Sequence, residues 1–487
     1  MSTVLIILFL IFYLILAYIR LDLAVLAMIV LLPSYLVRFS ILGVPTTLLE
    51  GMILISFAVW FIKNCKQLFD NIKNKLSFLR HSVFDIQHST FKRYPFDIEI
   101  ILLLIVSYLS VAGAGFSISA LGIWKAYFFE PALVFILIFN ILRKKEFNSK
   151  ALELNSFAAF EKILWAFVLS ALGVSLLAIY QKFTGAWITN EFWSAEATRR
   201  VTSFFGYPNA VGLYLGPIII VLIGWLSQKI GTFKKPVISY WLWVNGFIFL
   251  TIISSIAAIW FAKSKGALLG IGAGLIVFAL LAGKKSKWAT IIILIILGGG
   301  ILGYAPARNT AYNKLIYSKS WQIRKAGWQE TWAMLAHGRI FSGAGLTNYQ
   351  EAVKPCHQEG IFYNDGADPD FHRHTVFNAD YRARVWQPLE VYLYPHNIFL
   401  NFWSELGLAG MLLFIWIIGK YVFIGLKRAQ ESKEGGEKFL VIGLVGAMVV
   451  IIVHGQVDVP YFKNDLAVMF WILIALMEFL RIRRQES

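Results

Sequence analysis

With 487 residues, 58% of them hydrophobic and 16% aromatic, and a mean hydropathy of +0.66, the chain is too apolar for a soluble domain. Runs near about 20 apolar residues recur along its whole length, which marks a polytopic membrane protein. The formal net charge of +17 does not describe a nucleic-acid surface, because the basic residues sit in short clusters beside apolar runs, where positive-inside sorting accounts for them.

In chain order, about thirteen segments have the length a bilayer requires: Thr3 to Ile19, Asp22 to Val37, Thr47 to Ile62, Ile98 to Ala114, Leu121 to Leu142, Lys162 to Phe183, Phe205 to Ser227, Tyr240 to Phe261, Ala267 to Ala282, Trp288 to Tyr304, Asn397 to Leu426, Phe439 to Val453 and Leu466 to Leu480. The N-terminus is apolar from Val4 onward and has no basic leader, so the first segment is expected to be a retained span. The predicted fold class is an all-α polytopic membrane protein with about 12–13 transmembrane helices.

Basic clusters at Lys63 to Arg93, Arg143 to Lys150, Lys229 to Lys235, Lys284 to Lys287, Lys427 to Lys438 and Arg481 to Arg484 alternate correctly with these spans and define a cytoplasmic side. The opposite side carries Thr184 to Ser203, Lys263 to Gly266, the long segment Ala305 to Pro395, and His454 to Asp465. The expected organisation is an N-terminal transmembrane bundle over 1–304, a large, partly helical periplasmic loop domain over 305–395, and C-terminal transmembrane helices over 396–487. Long ordered loops usually carry function, so the chemistry is expected outside. Cys65 and Cys356 fall on opposite sides, which excludes a disulfide between them. There is no tandem repeat and no low-complexity tract.

Cations recur along the outer boundary, against the sorting bias. Arg199 and Arg200 precede VTSFFGYPNAVG, which enters a span through Gly206, Pro208 and Asn209; Lys265 opens another in AKSKGALLG. Within the long segment, SWQIRKAGWQETWAMLAHG places Trp321, Trp328, Trp332 and Leu335 on one helical face with Arg324 and Lys325 at its edge. That pattern suits an amphipathic helix in the membrane interface, either as a plain anchor or with Arg324 at the level of a lipid phosphate. Separate sites bearing Arg or Lys can converge on a pyrophosphate, the arginine fork matching its oxygens and lysine adding a point charge.

Further on, NDGADPDFHRH brings His372 and His374, alternating as on a strand, after Asp365, Asp368 and Asp370; neither a zinc nor a calcium ligand spacing is complete, so no metal is expected. The glycines of GRIFSGAGL suit a tight bend more than a phosphate cradle. The stretch YPHNIFLNFWSELGLAG then carries His396, Asn397, Asn401 and Glu405 into an apolar segment. If Pro395 opens the helix, Asn397, Asn401 and Glu405 share one face and His396 stands at its mouth. Helix dipole and desolvation both disfavour imidazolium there, so His396 would be neutral and able to accept a proton; a simple polar helix start is the alternative.

Together these features resemble the O-antigen ligase and polymerase superfamily of bacterial membrane glycosyltransferases. The resemblance rests on Arg200 with Phe205, Gly206, Pro208 and Asn209; Ser264 to Ala267; Arg324 with Trp328; the GRIFSGAGLTNY turn; His396 and Asn397 ahead of Glu405, Leu406, Gly407 and Gly410; and Asp458 to Tyr461, all in the family's order. It implies an inner (cytoplasmic) membrane location with the active site on the periplasmic face. It also implies transfer of a glycan from an undecaprenyl-pyrophosphate donor to a hydroxyl of a lipid core, a growing polysaccharide or a protein, with no metal, cofactor or nucleotide sugar. His396 maps to the residue that activates the acceptor, and Arg200 and Arg324 map to the phosphate-binding arginines. Lys265 stands where arginine is common, keeping the charge but losing the fork. Arg199, Asn209, Trp328, Asn397, Asn401, Glu405 and Asp458 are expected to support the site.

Two other function classes compete. A polysaccharide flippase or solute transporter would concentrate its ionisable residues at the midplane, whereas here they cluster at the outer boundary. A scaffolding membrane protein has no need of a histidine beside several phosphate-ready cations.

Overall fold

The computed structural model describes residues 3–41, 44–81, 95–143, 151–231, 238–306, 308–310, 318–364, 368–432 and 437–486. In chain order its main helices are α1 (Thr3–Ile19), α2 (Leu21–Val30), α3 (Leu48–His81), α4 (Asp97–Gly113), α5 (Ile118–Trp124), α6 (Glu130–Arg143), α7 (Ala151–Thr184), α8 (Pro208–Gly231), α9 (Ile238–Phe261), α10 (Lys265–Ala282), α11 (Lys284–Gly303), α12 (Lys319–Met334), α13 (Phe371–Phe377), α14 (Ala379–Val385), α15 (Ile398–Glu431), α16 (Lys438–His454) and α17 (Asn464–Glu486). Two short antiparallel hairpins, Arg38–Ile41 with Val44–Thr47 and Gly360–Phe362 with Trp386–Pro388, are the strands among the described residues.

The fold is therefore all-α and polytopic, and each predicted span is helical over most of its length. Among the described residues eight helices are long and apolar enough to cross a membrane, with α1, α2 and α16 shorter apolar helices beside them. The predicted span Asp22 to Val37 is the one that differs most. Its α-helix stops at Val30 because Pro33 lacks the N–H the next turn needs, and a 3₁₀ turn, Leu32–Leu36, leads into the first hairpin.

The chain groups into two compact units, one comprising Met1–Leu104, Lys125–Gly206 and Phe462–Ser487, the other Ile105–Trp124 and Tyr207–Tyr461. In the first, α17 is buried on every side from Leu466 to Leu480, as an apolar helix without a polar face must be. Trp471 packs edge-on against Phe135 of α6 at 5.6 Å, and Phe479 stacks on Phe160 of α7 at 5.6 Å.

In the second unit α8, α10 and α16 pack through small residues. A Cβ on Gly224 would stand 2.6 Å from the Phe439 carbonyl oxygen and 2.8 Å from the Gly443 Cα, so only glycine lets the α8 and α16 backbones approach this closely. The segment between α11 and α15 is anchored on α12, whose Met334, with Leu335, Ala344, Tyr349 and Val353, forms a small buried core flanked by Trp403 of α15.

Three local expectations change. The helix of the polar stripe begins at Ile398 and not at Pro395, because Asn397 is the N-cap: its Oδ1 accepts from Phe399 N and Leu400 N, each at 3.0 Å. The helix is also broken at Gly407 (φ 75°), so Asn401 and Glu405 lie on a short N-terminal piece. His372 and His374 stand on α13, not on a strand; Asp365 lies outside the described residues. On a helix two residues apart point about 160° from one another, so the pair does not converge. His374 Nδ1 instead meets Asp368 Oδ2 at 2.6 Å, and the Tyr381 hydroxyl, followed by His374, holds that carboxyl below its usual range.

Candidate functional site

The N-terminal parts of α8, α10, α12 and α15 are drawn together around one loop, Gly455 to Tyr461. The Gly455 carbonyl accepts from Ile398 N at 2.7 Å, Gln456 O from Asn397 Nδ2 at 3.3 Å, and Val457 O from Arg324 Nε at 2.7 Å. Asp458, 1% exposed, accepts from Asn209 Nδ2 at 3.3 Å through Oδ2 and from Val459 N at 2.9 Å through Oδ1. Gly266, beside Lys265 at the start of α10, packs against the His454 ring so closely that a Cβ would lie 2.6 Å from it. Backbone carbonyls of a single loop thus fix residues far apart in the chain.

A cleft with about 270 Å³ of atom-free space, open solvent included, lies between α12 and the segment before α15; Arg324, Glu330, Tyr349, Tyr392, Tyr394 and His396 line it. His396 has a φ of 49°, a left-handed conformation that a non-glycine residue adopts at a cost of about 1–3 kcal/mol. Its ring is gripped edge-on by Tyr392 at 5.2 Å and Tyr394 at 4.8 Å. Its Nδ1 is buried without a partner, which leaves Nε2 as the nitrogen a ligand can reach. Burial depresses the imidazole pKa; Asp458 opposes that shift and Arg324 adds to it, so the ring is neutral near pH 7. Burial is the largest cause of that shift, in the direction that the sequence suggests.

Arg324 is half-buried and turned toward the Gly455–Tyr461 loop. Apart from Val457 O it donates through Nη1 to Ser320, and among the described residues no carboxylate lies within ion-pair distance. Desolvation lowers its pKa, with Asp458 and then the tyrosines working against that, yet a guanidinium stays charged at any ordinary pH. Burial also pushes the Tyr394 hydroxyl up to about 12, so it is a neutral hydrogen-bonding group beside His396.

The remaining predicted residues divide. Trp328 packs edge-on against Trp321 at 5.3 Å and keeps a buried indole N–H without a partner; Asn401 is 2% exposed with Oδ1 likewise unpartnered. Lys265 is exposed at the first position of α10. Arg199 and Arg200 belong to the other unit. Arg199 is committed to Lys182 O and Ser194 O, each at 3.0 Å, capping the end of α7, while Arg200 N donates to Trp193 O at 3.1 Å.

Glu405 serves the helix break. Its Oε2 accepts from Thr347 N at 2.8 Å and its carbonyl from Ser110 Oγ at 2.5 Å, while Ser404 O accepts from Ala344 N at 2.6 Å and Phe341 O from Leu408 N at 3.3 Å. The GRIFSGAGL turn is thus neither a free bend nor a phosphate cradle: it caps the interrupted helix. Gly343 is glycine because a Cβ there would meet Ser404 O at 2.6 Å.

Residues 247–415 match the family model described as O-antigen ligase. That stretch, about a third of the chain, is similar to an O-antigen ligase domain. That domain supports a membrane glycosyltransferase of the ligase or polymerase type, and it spans Lys265, Arg324, Trp328, His396, Asn397, Asn401 and Glu405. Arg199, Arg200, Asn209 and Asp458 fall outside the matched residues. No curated protein matches the chain.

Tyr392, Tyr394 and the hub carbonyls of Gly455, Gln456 and Val457 carry no motif in the sequence, although Asp458 to Tyr461 do. One signal was there: in VYLYPHN, Tyr392, Tyr394 and His396 recur at every second position, the spacing that aligns side chains on one side of an extended segment. Among the described residues no three His, Cys, Asp or Glu side chains gather in a way that would hold a metal.

Proposed function

We propose that the protein transfers a glycan from an undecaprenyl-pyrophosphate donor to an acceptor hydroxyl at the periplasmic face of the inner membrane, with attachment to a lipid core, extension of a polysaccharide and modification of a protein as the acceptor classes. The observation that carries this is the pairing, in one cleft, of a neutral histidine held in a strained conformation with an arginine that lacks a direct counter-ion. Arg324, joined by Lys265, takes the pyrophosphate oxygens and stabilises the charge that develops as the bond between the anomeric carbon and phosphate oxygen breaks. The acceptor oxygen attacks that carbon from the opposite face, and its proton passes to Nε2 of His396. The anomeric centre inverts, the electron pair leaves on the pyrophosphate, and no metal is required. Asn397 and the two tyrosines hold the imidazole in place.

The decisive experiment gives purified protein in lipid a polyprenyl-pyrophosphate glycan and an acceptor, and follows transfer in wild type and His396→Ala. Near-normal transfer by a well-folded His396→Ala protein would overturn the assignment. Sidedness is tested in spheroplasts: a membrane-impermeant thiol reagent should label Cys356 and spare Cys65, and the reverse would place the site in the cytoplasm. Transfer abolished by EDTA and restored by a divalent ion would remove the metal-free mechanism.

A further inference from the structure

The first unit holds a buried polar cluster that glycan transfer does not use. Glu50 opens α3, Glu130 opens α6, Asn464 opens α17, and Lys125 belongs to a π-helical stretch, Lys125–Phe129, just before Glu130. In an α-helix, residues five apart stand about 140° from one another. The wider π turn brings Lys125 and Glu130 nearer one face, and such turns are frequent at functional sites.

The hydrogen-bond count is uneven. Glu50 Oε2 takes Lys125 Nζ at 2.7 Å and Thr46 Oγ1 at 2.8 Å, and Glu50 Oε1 takes Asn464 Nδ2 at 3.3 Å; this carboxylate is a paired anion. Glu130, 0% exposed, has only the same Asn464 Nδ2 at 3.4 Å, on Oε2, while its Oε1 has no partner. Asn464, 3% exposed, also leaves its Oδ1 without one. A carboxylate ion so placed would be buried with a single long bond and its nearest ammonium already engaged, a cost of several kcal/mol.

The two orphaned atoms are both acceptors, and they belong to the two groups already joined by the Nδ2–H···Oε2 contact. One proton on Oε1 satisfies both. We propose that Glu130 is a proton-binding site: a carboxylic acid that closes a cyclic acid–amide pair with Asn464, with its O–H donating to Oδ1 and its Oε2 accepting from Nδ2. The ionisable groups on the surrounding elements are Glu50 on α3, Lys125 on the π stretch, and Lys463 and the buried Asp465 on either side of Asn464. The ammonium is spent on Glu50, so the Glu130 proton is what keeps the cluster neutral. An intramembrane carboxyl of this kind is also a modification site, because hydrophobic carbodiimides react with protonated carboxyl groups.

The test uses the full chain in lipid and compares wild type with Glu130→Gln, whose amide keeps a neutral donor. The expected results are a protonated-carboxyl infrared band in wild type that Glu130→Gln lacks, and a Glu130→Gln melting temperature equal to wild type. Dicyclohexylcarbodiimide adds an adduct mapped to Glu130, and that adduct should be missing from the variant. The infrared comparison decides even where the reagent fails to reach the site. Identical infrared bands together with a strongly lowered melting temperature in Glu130→Gln would show an ionised Glu130 and overturn the proposal. So would a wild-type melting temperature raised by sodium or potassium and unchanged in Glu130→Gln, because the ligand would then be a metal cation.

Discussion

Two polar regions lie on the first turns of the same helix and treat their hydrogen bonds oppositely. Around Gly407, where the helix is interrupted, the groups that the break exposes are taken up: Ser404 O by Ala344 N, Glu405 O by Ser110, Glu405 Oε2 by Thr347 N, Leu408 N by Phe341 O. Around His396, about three turns' length of chain earlier, groups are left over: His396 Nδ1, Asn401 Oδ1 and Trp328 Nε1 are buried without partners, and Arg324 lacks a direct counter-ion. A buried polar group without a partner costs about 1–3 kcal/mol, so a chain keeps such groups where something else makes use of them. The first set of bonds holds the fold together at the break; the second region is the one we propose meets the donor and the acceptor.

Breaking the unsatisfied side should give the largest effect. His396→Ala should lower transfer by about 10²- to 10⁴-fold, the usual contribution of a general base, while the melting temperature stays close to wild type. The wild-type rate gives an independent check. The base acts only when deprotonated, and burial holds its pKa below the ordinary 6.5, so transfer should be flat at neutral pH and fall as pH drops below that value. An acid limb that remains in His396→Ala would assign it to another group.

Breaking the satisfied side should do the reverse, costing stability before chemistry. At Gly407 a Cβ would stand 2.1 Å from Phe341 O on a backbone with φ of 75°, so Gly407→Ala combines a clash with left-handed strain. The strain alone is about 1–3 kcal/mol, and the displaced turn adds to it. A thermal melt should show a loss of at least that size, and an unchanged melting temperature would mean that the break does not hold the turn.

How much of this contrast the sequence carries depends on where each partner sits. His396, Arg324 and the spans are legible because apolar length and misplaced charge are local signals. The helix start is ambiguous in the sequence because two local rules compete in Tyr394 to Ile398: proline suits a first helical position, asparagine suits the cap, and here the cap prevails. Glu405 was read as one more member of a polar stripe because its partners, Thr347 and Ser110, are 58 and 295 residues away. In the hub Asp458 is legible as a side chain, but Gly455, Gln456 and Val457 work through carbonyl oxygens, which every residue has, so no side-chain pattern announces them.

Arg324 belongs to the unsatisfied side by charge and to the satisfied side through Val457 O, so its variants sharpen the boundary. Arg324→Ala should weaken donor engagement by about 1.5–3 kcal/mol per charged hydrogen bond, roughly 10- to 100-fold in donor affinity. Arg324→Lys keeps charge without the fork and should recover only part of it, whereas Lys265→Arg should be tolerated. Donor titrations of the transfer rate separate the cases, and equal KM in Arg324→Ala and wild type would take the arginine out of donor binding.

The smallest effect is expected at Asn397, the residue that joins the two sides. Its Oδ1 caps the helix and its Nδ2 reaches Gln456 O, so the one side chain both starts α15 and ties the residue after His396 to the hub loop. Asn397→Ala removes both functions and should cost about 1 kcal/mol of stability. Asn397→Asp keeps the cap acceptors but loses the donor to Gln456 O, so it should melt near wild type. If that tether is what steadies the imidazole, both variants should slow transfer by a similar modest factor although only Ala lowers the melting temperature. If Asn397→Asp transfers as fast as wild type, the cap alone positions His396 and the bond to Gln456 contributes nothing to the site.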